Sequence, residues 1–210
     1  IWWALCLNVT AGIGVIGQAS VMIQESFKGA VTPAAAAGFV GLLSLANMLG
    51  RFLWSYASDY LGRKNTYYIF LALGAVLYLL VPSAGAAGYV AVFVLFYTII
   101  ISMYGGGFST LPAYLADMFG TRFVGGIHGR ALTAWAAAGI FGPVLVNYIR
   151  QYQVNHGVPP SQAYTETMYI MAGLLVVGII CNFFVRPVSS HHHMTAEQLG
   201  TATAQPAMGH

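Results

Sequence analysis

Charged residues are scarce in this chain. Its 210 residues include eight lysines and arginines and five aspartates and glutamates, so only 6% of the chain is charged, against about 25% in a soluble domain. Hydrophobic residues make up 58%. Because so few charges cannot coat a large helical core in water, the composition argues against a soluble protein and predicts the lipid bilayer as a partner.

Other features that the sequence lacks exclude several classes of function. The basic residues are dispersed, without the patch that nucleic acid requires. The two cysteines, Cys6 and Cys181, lie in apolar segments, and nothing predicts a disulfide. The apolar segments show no nucleophile–base pair, metal cluster or cofactor loop. We therefore expect no enzyme, no metal and no cofactor.

Long apolar runs separated by short polar breaks predict an all-α membrane protein with six transmembrane helices in residues 1–186. The third run is the shortest, and its ends are the least defined. The predicted spans are Trp2–Met22, Ala34–Ala57, Thr66–Val81, Tyr89–Leu111, Ala131–Ile149 and Tyr164–Val185.

The basic residues outside the spans predict the orientation, because cytoplasmic loops carry more of them. One side has Arg63, Lys64, Arg122, Arg130 and Arg186, and the other has Lys28 and Arg150. We therefore expect a cytoplasmic C-terminus, in a bacterial inner membrane. The tail, 187–210, is small and polar and predicted to be mostly disordered; its run His191–His193 has no predicted role.

The chain begins Ile1-Trp2-Trp3, without a methionine, and its charged turn between the second and third helices occurs once. Six helices with both ends on one side make a plausible half of a two-half transporter. We expect the N-terminal half of the same protein to be missing and to act as a partner.

Arg51 is a lone cation inside the second apolar run. It precedes Asp59, where the charged turn is predicted to open, by eight residues, which is roughly 12 Å of helix. An arginine at that depth is costly unless it faces a partner or a water-filled cavity. It therefore predicts a substrate site.

A polar stripe surrounds Arg51 at helical spacing, while the opposite face, including Val40, is predicted to be apolar. A stripe of this kind lines a cavity or, alternatively, joins helices through small polar residues. The second alternative leaves Arg51 unexplained. The stripe consists of Ser44, Asn47, Arg51, Ser55 and Ser58.

The segment Ser55-Tyr-Ala-Ser-Asp59-Tyr-Leu-Gly62-Arg63-Lys64 resembles the cytoplasmic loop signature of the major facilitator superfamily. It departs from the signature at Ser55, where the family has glycine, and at Tyr60, where the family has a basic residue. The resemblance implies a gate, which locks neighbouring helices in one access state and consists of Asp59, Gly62, Arg63 and Lys64. Simple anchoring by positive charge explains the two basic residues but not the aspartate.

Three further segments resemble the oxalate/formate antiporter family and, more distantly, monocarboxylate transporters. They are Asn47-Met-Leu-Gly50-Arg51, the run from Gly105 to Gly120, and the run from His128 to Trp135. The likeness covers roughly residues 1–186, as the C-terminal six helices of a twelve-helix fold. It implies that Arg51 binds a substrate carboxylate.

Oxalate-exchanging members of the resembled family pair this arginine with a lysine in the second-to-last helix. The corresponding span here, Ala131–Ile149, has no Lys, Arg or His, and Trp135 lies in the expected region. One cation can neutralise one carboxylate, and Trp135 offers an apolar wall and one N–H donor. The sequence therefore predicts monoanionic substrates.

The fourth run supplies further candidates. The hydroxyls of Tyr97 and Tyr104 can donate to a carboxylate, although tyrosines also form interfacial belts. Gly105–Gly107 and Pro112 indicate either a helix broken at a binding site or close helix packing. At the predicted start of the fifth helix, His128 is a candidate for proton coupling because histidine titrates near neutral pH; alternatively it is a solvated residue at the membrane edge.

Together these features predict a secondary active transporter of small organic anions such as formate, lactate or pyruvate, which works by alternating access. The predicted substrate contacts are Arg51, Asn47, Tyr104 and Trp135, with protons as a candidate coupling ion. Two alternatives remain open: an exchanger of the oxalate/formate type for dicarboxylates, and a receptor of the same fold that does not transport.

Overall fold

The computed structural model describes residues 1–186 and 188–189, and within them six helical stretches are long and apolar enough to cross a membrane. This confirms the predicted all-α membrane fold. Apart from Val188 and Ser189, the tail with His191–His193 lies outside the described residues. The helices are α1 (Trp2–Ser26), α2 (Pro33–Leu61), α3 (Arg63–Ala86), α4 (Val90–Phe119), α5 (Val124–Ala131), α6 (Thr133–Asn155) and α7 (Thr165–Phe183).

α2 extends beyond the predicted Ala34–Ala57 at both ends. Thr32 caps its start, because its hydroxyl oxygen accepts a hydrogen bond from the Ala35 N–H at 3.2 Å. Its end is set by Gly62, whose φ of 82° suits glycine and turns the chain directly into α3. Asp59 therefore lies in the last turn of α2 and does not open a loop as predicted.

The predicted fifth span, Ala131–Ile149, is wrong at both ends. The structure has a short helix, α5, followed by α6, and the two meet at Leu132. The Leu132 N–H bonds the His128 carbonyl oxygen at 2.9 Å, and the Ala136 N–H bonds the Leu132 carbonyl oxygen at 3.1 Å, so backbone bonding continues through the junction. Consequently α6 includes Arg150, which the predicted span left out.

The helices differ in how deeply they lie in the bundle. In the most apolar stretch of α1, 61% of the residues are buried, against 28% in α2 and 22% in α5 and α6 together. α1 packs against α6, α7 and α2, while α2 packs mainly on α4 and α3 mainly on α7. α2 and α6 therefore present long exposed faces.

Glycines bring α2 and α4 into backbone contact. A Cβ atom on Gly50 would lie 2.1 Å from the carbonyl oxygen of Ser102, and one on Gly105 would lie 2.2 Å from that of Asn47. α4 is continuous through Gly105–Gly107 and Pro112. Of the two alternatives for these residues, close packing is correct, and the helix is not broken. This contact fixes the segment of α2 that carries Asn47 and Arg51.

Candidate substrate site

An open cavity of about 410 Å³ lies on the exposed face of α2. Three residues of the polar stripe line it: Ser44, Asn47 and Arg51. Val40, assigned from sequence to the opposite face, also lines it, because it lies one helical turn before Ser44. The prediction for Val40 was wrong, but the part of the stripe from Ser44 to Arg51 does line a cavity.

The rest of the stripe, Ser55 and Ser58, does not line this cavity, and Ser55 contacts α4. The Ser55 hydroxyl donates to the Ser109 hydroxyl at 2.7 Å, and Ser109 donates to the Arg51 carbonyl oxygen at 3.0 Å. Ser58 is buried and donates to the Ser55 carbonyl oxygen at 2.7 Å. The two alternatives from sequence therefore each apply to one part of the stripe.

Arg51 is a cation without an acidic partner in the part of the chain that the structure describes. Its Nε donates to Asn47 Oδ1 at 3.2 Å, and its guanidinium carbon lies 5.2 Å from the centroid of the Phe108 ring. The described residues supply no hydrogen-bond partner for its two terminal nitrogens. Arginine can grip a carboxylate with two parallel N–H bonds, so this arrangement suits an anionic ligand.

Aromatic residues connect Arg51 with the other predicted contacts. The Phe108 and Trp135 ring centroids are 6.4 Å apart in an edge-on arrangement, and Trp135 Nε1 donates to the Tyr104 hydroxyl at 3.4 Å. Of the four predicted contacts, Asn47 and Arg51 line the cavity, whereas Trp135 and Tyr104 do not line it and reach Arg51 only through Phe108. Phe108 was missed by sequence reasoning, although its position four residues after Tyr104 places both on one face of α4.

Two candidates lie elsewhere. Tyr97 is fully buried, and its hydroxyl contacts the sulfur atoms of Met22 and Met168 at 3.3 and 3.0 Å, so it neither faces the cavity nor lies at a membrane interface. His128 lies on α5, not on α6, and does not line the cavity. Its Nδ1 is buried without a hydrogen-bond partner among the described residues.

The predicted gate residues join the turn between α2 and α3 to α4. Asp59 and Arg63 form an ion pair, and Arg63 Nε lies 3.5 Å from Asp117 Oδ2 at the end of α4. An acid at a helix C-terminus and a base at a helix N-terminus each oppose the helix dipole, and pairing offsets both. Asp117 was not predicted as a partner of Arg63.

Lys64 joins the same turn to α7. Its Nζ donates to the Val185 carbonyl oxygen at 2.6 Å. Asn182, which is buried, donates from Nδ2 to the Lys64 carbonyl oxygen at 3.2 Å and accepts from the Tyr114 hydroxyl at 3.3 Å. The turn is therefore held by two helices. The only sequence signal for Asn182 is that it is polar within an apolar helix.

A second ion pair lies at the opposite end of the bundle. Arg150 on α6 donates to both carboxylate oxygens of Glu25 on α1, with an Nε–Oε2 distance of 2.9 Å. The Arg150 guanidinium also lies 5.7 Å from the ring centroid of Tyr164. Burial, together with the Glu25 carboxylate, raises the pKa of Tyr164 to about 12. The positive charge that α6 carries is thus neutralised within this bundle.

The profile of the Major Facilitator Superfamily matches residues 1–208. The chain belongs to the major facilitator superfamily. Its six membrane-length helices fit a half of that fold, and it is an integral membrane protein. The oxalate:formate antiporter of Oxalobacter formigenes is 30% identical over 136 residues, which are 65% of this chain and 27% of that protein. The likeness to the oxalate/formate antiporter family is thus confirmed, over about a quarter of the relative's length. No solved structure matches the chain.

Proposed function

We propose that the chain is the C-terminal half of a secondary transporter that carries small monocarboxylates by alternating access. The observation that carries this proposal is the state of Arg51, which faces an open cavity and has no acidic partner among the described residues. An unpaired guanidinium at membrane depth is unfavourable, and a bound carboxylate would offset that cost. We place the protein in a bacterial inner membrane, and the distribution of its basic residues supports a cytoplasmic C-terminus.

The substrate carboxylate would bind the terminal nitrogens of Arg51. Asn47 would hold the arginine in place, and Tyr104 and Trp135 would contact the rest of the substrate beside Phe108. Because Arg150 is already paired, Arg51 is the one cation that the described helices offer at this cavity. A dianion would leave its second carboxylate unpaired. The N-terminal half would complete the cavity across the exposed faces of α2 and α6.

Gating would fall to the turn between α2 and α3. Asp59, Gly62, Arg63 and Lys64 would stabilise one access state through the contacts to α4 and α7. His128 would be the candidate for proton coupling on its residue type alone, because histidine is the usual proton-exchanging side chain near neutral pH.

Exchange of oxalate for formate is the second candidate. The observation that favours it is the similarity to the antiporter of Oxalobacter formigenes. It would require a second cation from the N-terminal half, because the described part of α6 has only Arg150, which Glu25 already binds.

Uptake by the full-length protein in proteoliposomes tests the proposal. Labelled formate would be offered together with unlabelled formate, lactate, pyruvate or oxalate at equal concentrations, with protein-free liposomes as the control. We expect the monocarboxylates to compete better than oxalate. If oxalate competes best, the exchanger is correct, and if no acid accumulates, the receptor alternative replaces transport.

A further inference from the structure

A second groove, of about 570 Å³, lies at the end of the bundle that carries the gate residues. It is bounded by the ends of α4 and α7, by α5 and by Trp2 at the start of α1. Val185, which accepts the hydrogen bond from Lys64, is part of its wall. Apart from two arginines the lining is apolar, with Leu115 and Phe184 among its residues. The groove shares no residue with the substrate cavity.

The two arginines are Arg130, in the last turn of α5, and Arg186, just after α7. Both are exposed, and the groove lining includes no acid. Within residues 1–186 neither arginine forms an ion pair, in contrast to Arg63 and Arg150. Two guanidinium groups beside an apolar channel match a ligand that joins an anionic head to a hydrocarbon tail.

We propose that this groove binds an anionic phospholipid. Its phosphate contacts Arg130 and Arg186, and one acyl chain lies along the apolar wall. Both arginines lie at helix ends, where lipid head groups meet the protein, and basic pockets between transmembrane helices suit anionic head groups. A free phosphate would leave the wall uncovered, and a zwitterionic lipid would bring its own cation toward the arginines.

Native mass spectrometry of the full-length protein in detergent tests the proposal. The probes are phosphatidylglycerol, phosphatidylcholine with the same acyl chains, and inorganic phosphate. The variants are Arg130→Gln, Arg186→Gln and the double variant. The matched control is Arg122→Gln, which changes a basic residue between α4 and α5 that does not line the groove. Maleimide labelling of Cys181, a partly buried groove residue, reports the location of the lipid.

We expect phosphatidylglycerol to bind at least about tenfold more tightly than phosphatidylcholine, and each groove arginine to contribute about fivefold. The control variant should bind normally, and phosphatidylglycerol, but not phosphate, should slow labelling of Cys181. Equal binding of the two lipids, or equal protection by phosphate, would overturn the proposal. So would an unprotected Cys181, which would place the lipid elsewhere, or no binding at all, which would mean that another segment of the protein fills the groove. The comparison of probes on the unmodified protein decides the matter even if a variant does not fold.

Discussion

Arg51 and Arg150 both belong to apolar helices, but their surroundings differ. Arg150 makes two bonds to Glu25, and the two side chains are only 24% and 18% exposed. Arg51 contacts the neutral amide of Asn47 and the aromatic ring of Phe108, and it faces an open cavity. The bundle itself accounts for Arg150, because its charge joins α1 to α6. Packing does not account for Arg51, which therefore points to a ligand.

Arg63 represents a third situation. It pairs with Asp59 and approaches Asp117, and although the Arg63 side chain is itself only 17% exposed, the two acids are 56% and 63% exposed. Exposed ion pairs contribute little net stability, so they can form and break at small cost. An ion pair with an exposed acid suits a gate, which has to open and close. The pair between Arg150 and the less exposed Glu25 suits a permanent link between α1 and α6.

The largest effect should follow from separating α2 from α4 and so displacing Arg51. In Gly50→Ala the new methyl group would meet the Ser102 carbonyl oxygen at 2.1 Å, and neither backbone can yield locally. We expect a loss of about 3 kcal/mol in unfolding free energy, at the upper end for overpacking, together with weaker substrate binding. Thermal unfolding in detergent measures the stability. Gly41→Ala, in the same helix with open space around it, is the control. Equal stability of the two variants would contradict the close backbone contact between α2 and α4.

A smaller effect on stability should follow when Arg150 loses its acidic partner and is left, like Arg51, without an acid beside it. Glu25→Ala leaves its guanidinium without an acid, and we expect a loss of about 2 kcal/mol, less than for a fully buried pair because both side chains are partly exposed. Glu166→Ala removes an exposed carboxylate near the same end of the bundle and should change the melting temperature little. If both variants have the same melting temperature, the ion pair between Arg150 and Glu25 does not stabilise the fold.

The smallest effect on binding is expected at the gate. Asp59→Asn should slow transport and shift the accessibility of engineered cysteines, while substrate affinity changes by less than about tenfold, roughly 1.4 kcal/mol. The reason is that Asp59 contacts Arg63 and does not line the cavity. Leu61→Ala, at an exposed apolar position of the same turn, serves as the control. Complete loss of substrate binding by Asp59→Asn would contradict a gating role.

Sequence alone was sufficient for the number of membrane-spanning stretches and for their helical type, because apolar length determines membrane spans. It was less successful at their ends. α3 includes Arg63 and Lys64, and α2 includes Asp59, since a helix continues into the head-group region while hydropathy marks only the hydrocarbon part. The division between α5 and α6 at Leu132 has no hydropathy signal.

For the site, sequence identified Arg51 and its neighbour Asn47, because a cation in an apolar run stands out. It missed Phe108, and it missed that Glu25 binds Arg150, 125 residues further along the chain. Both contacts depend on which helices become neighbours and how they rotate about their axes. Val40 shows the same limit within one helix, since a boundary between polar and apolar faces cannot be drawn without the partner helices.

The most direct test of the central claim is the dissociation constant of a transported carboxylate for Arg51→Lys and Arg150→Lys, measured by equilibrium binding to the full-length protein. Lysine keeps the charge but loses the two-pronged geometry. We predict binding at least about tenfold weaker for Arg51→Lys, equivalent to roughly 1.4 kcal/mol, and nearly unchanged for Arg150→Lys. Normal affinity in Arg51→Lys, or an equal loss in both variants, would contradict the assignment of Arg51 as the carboxylate-binding residue.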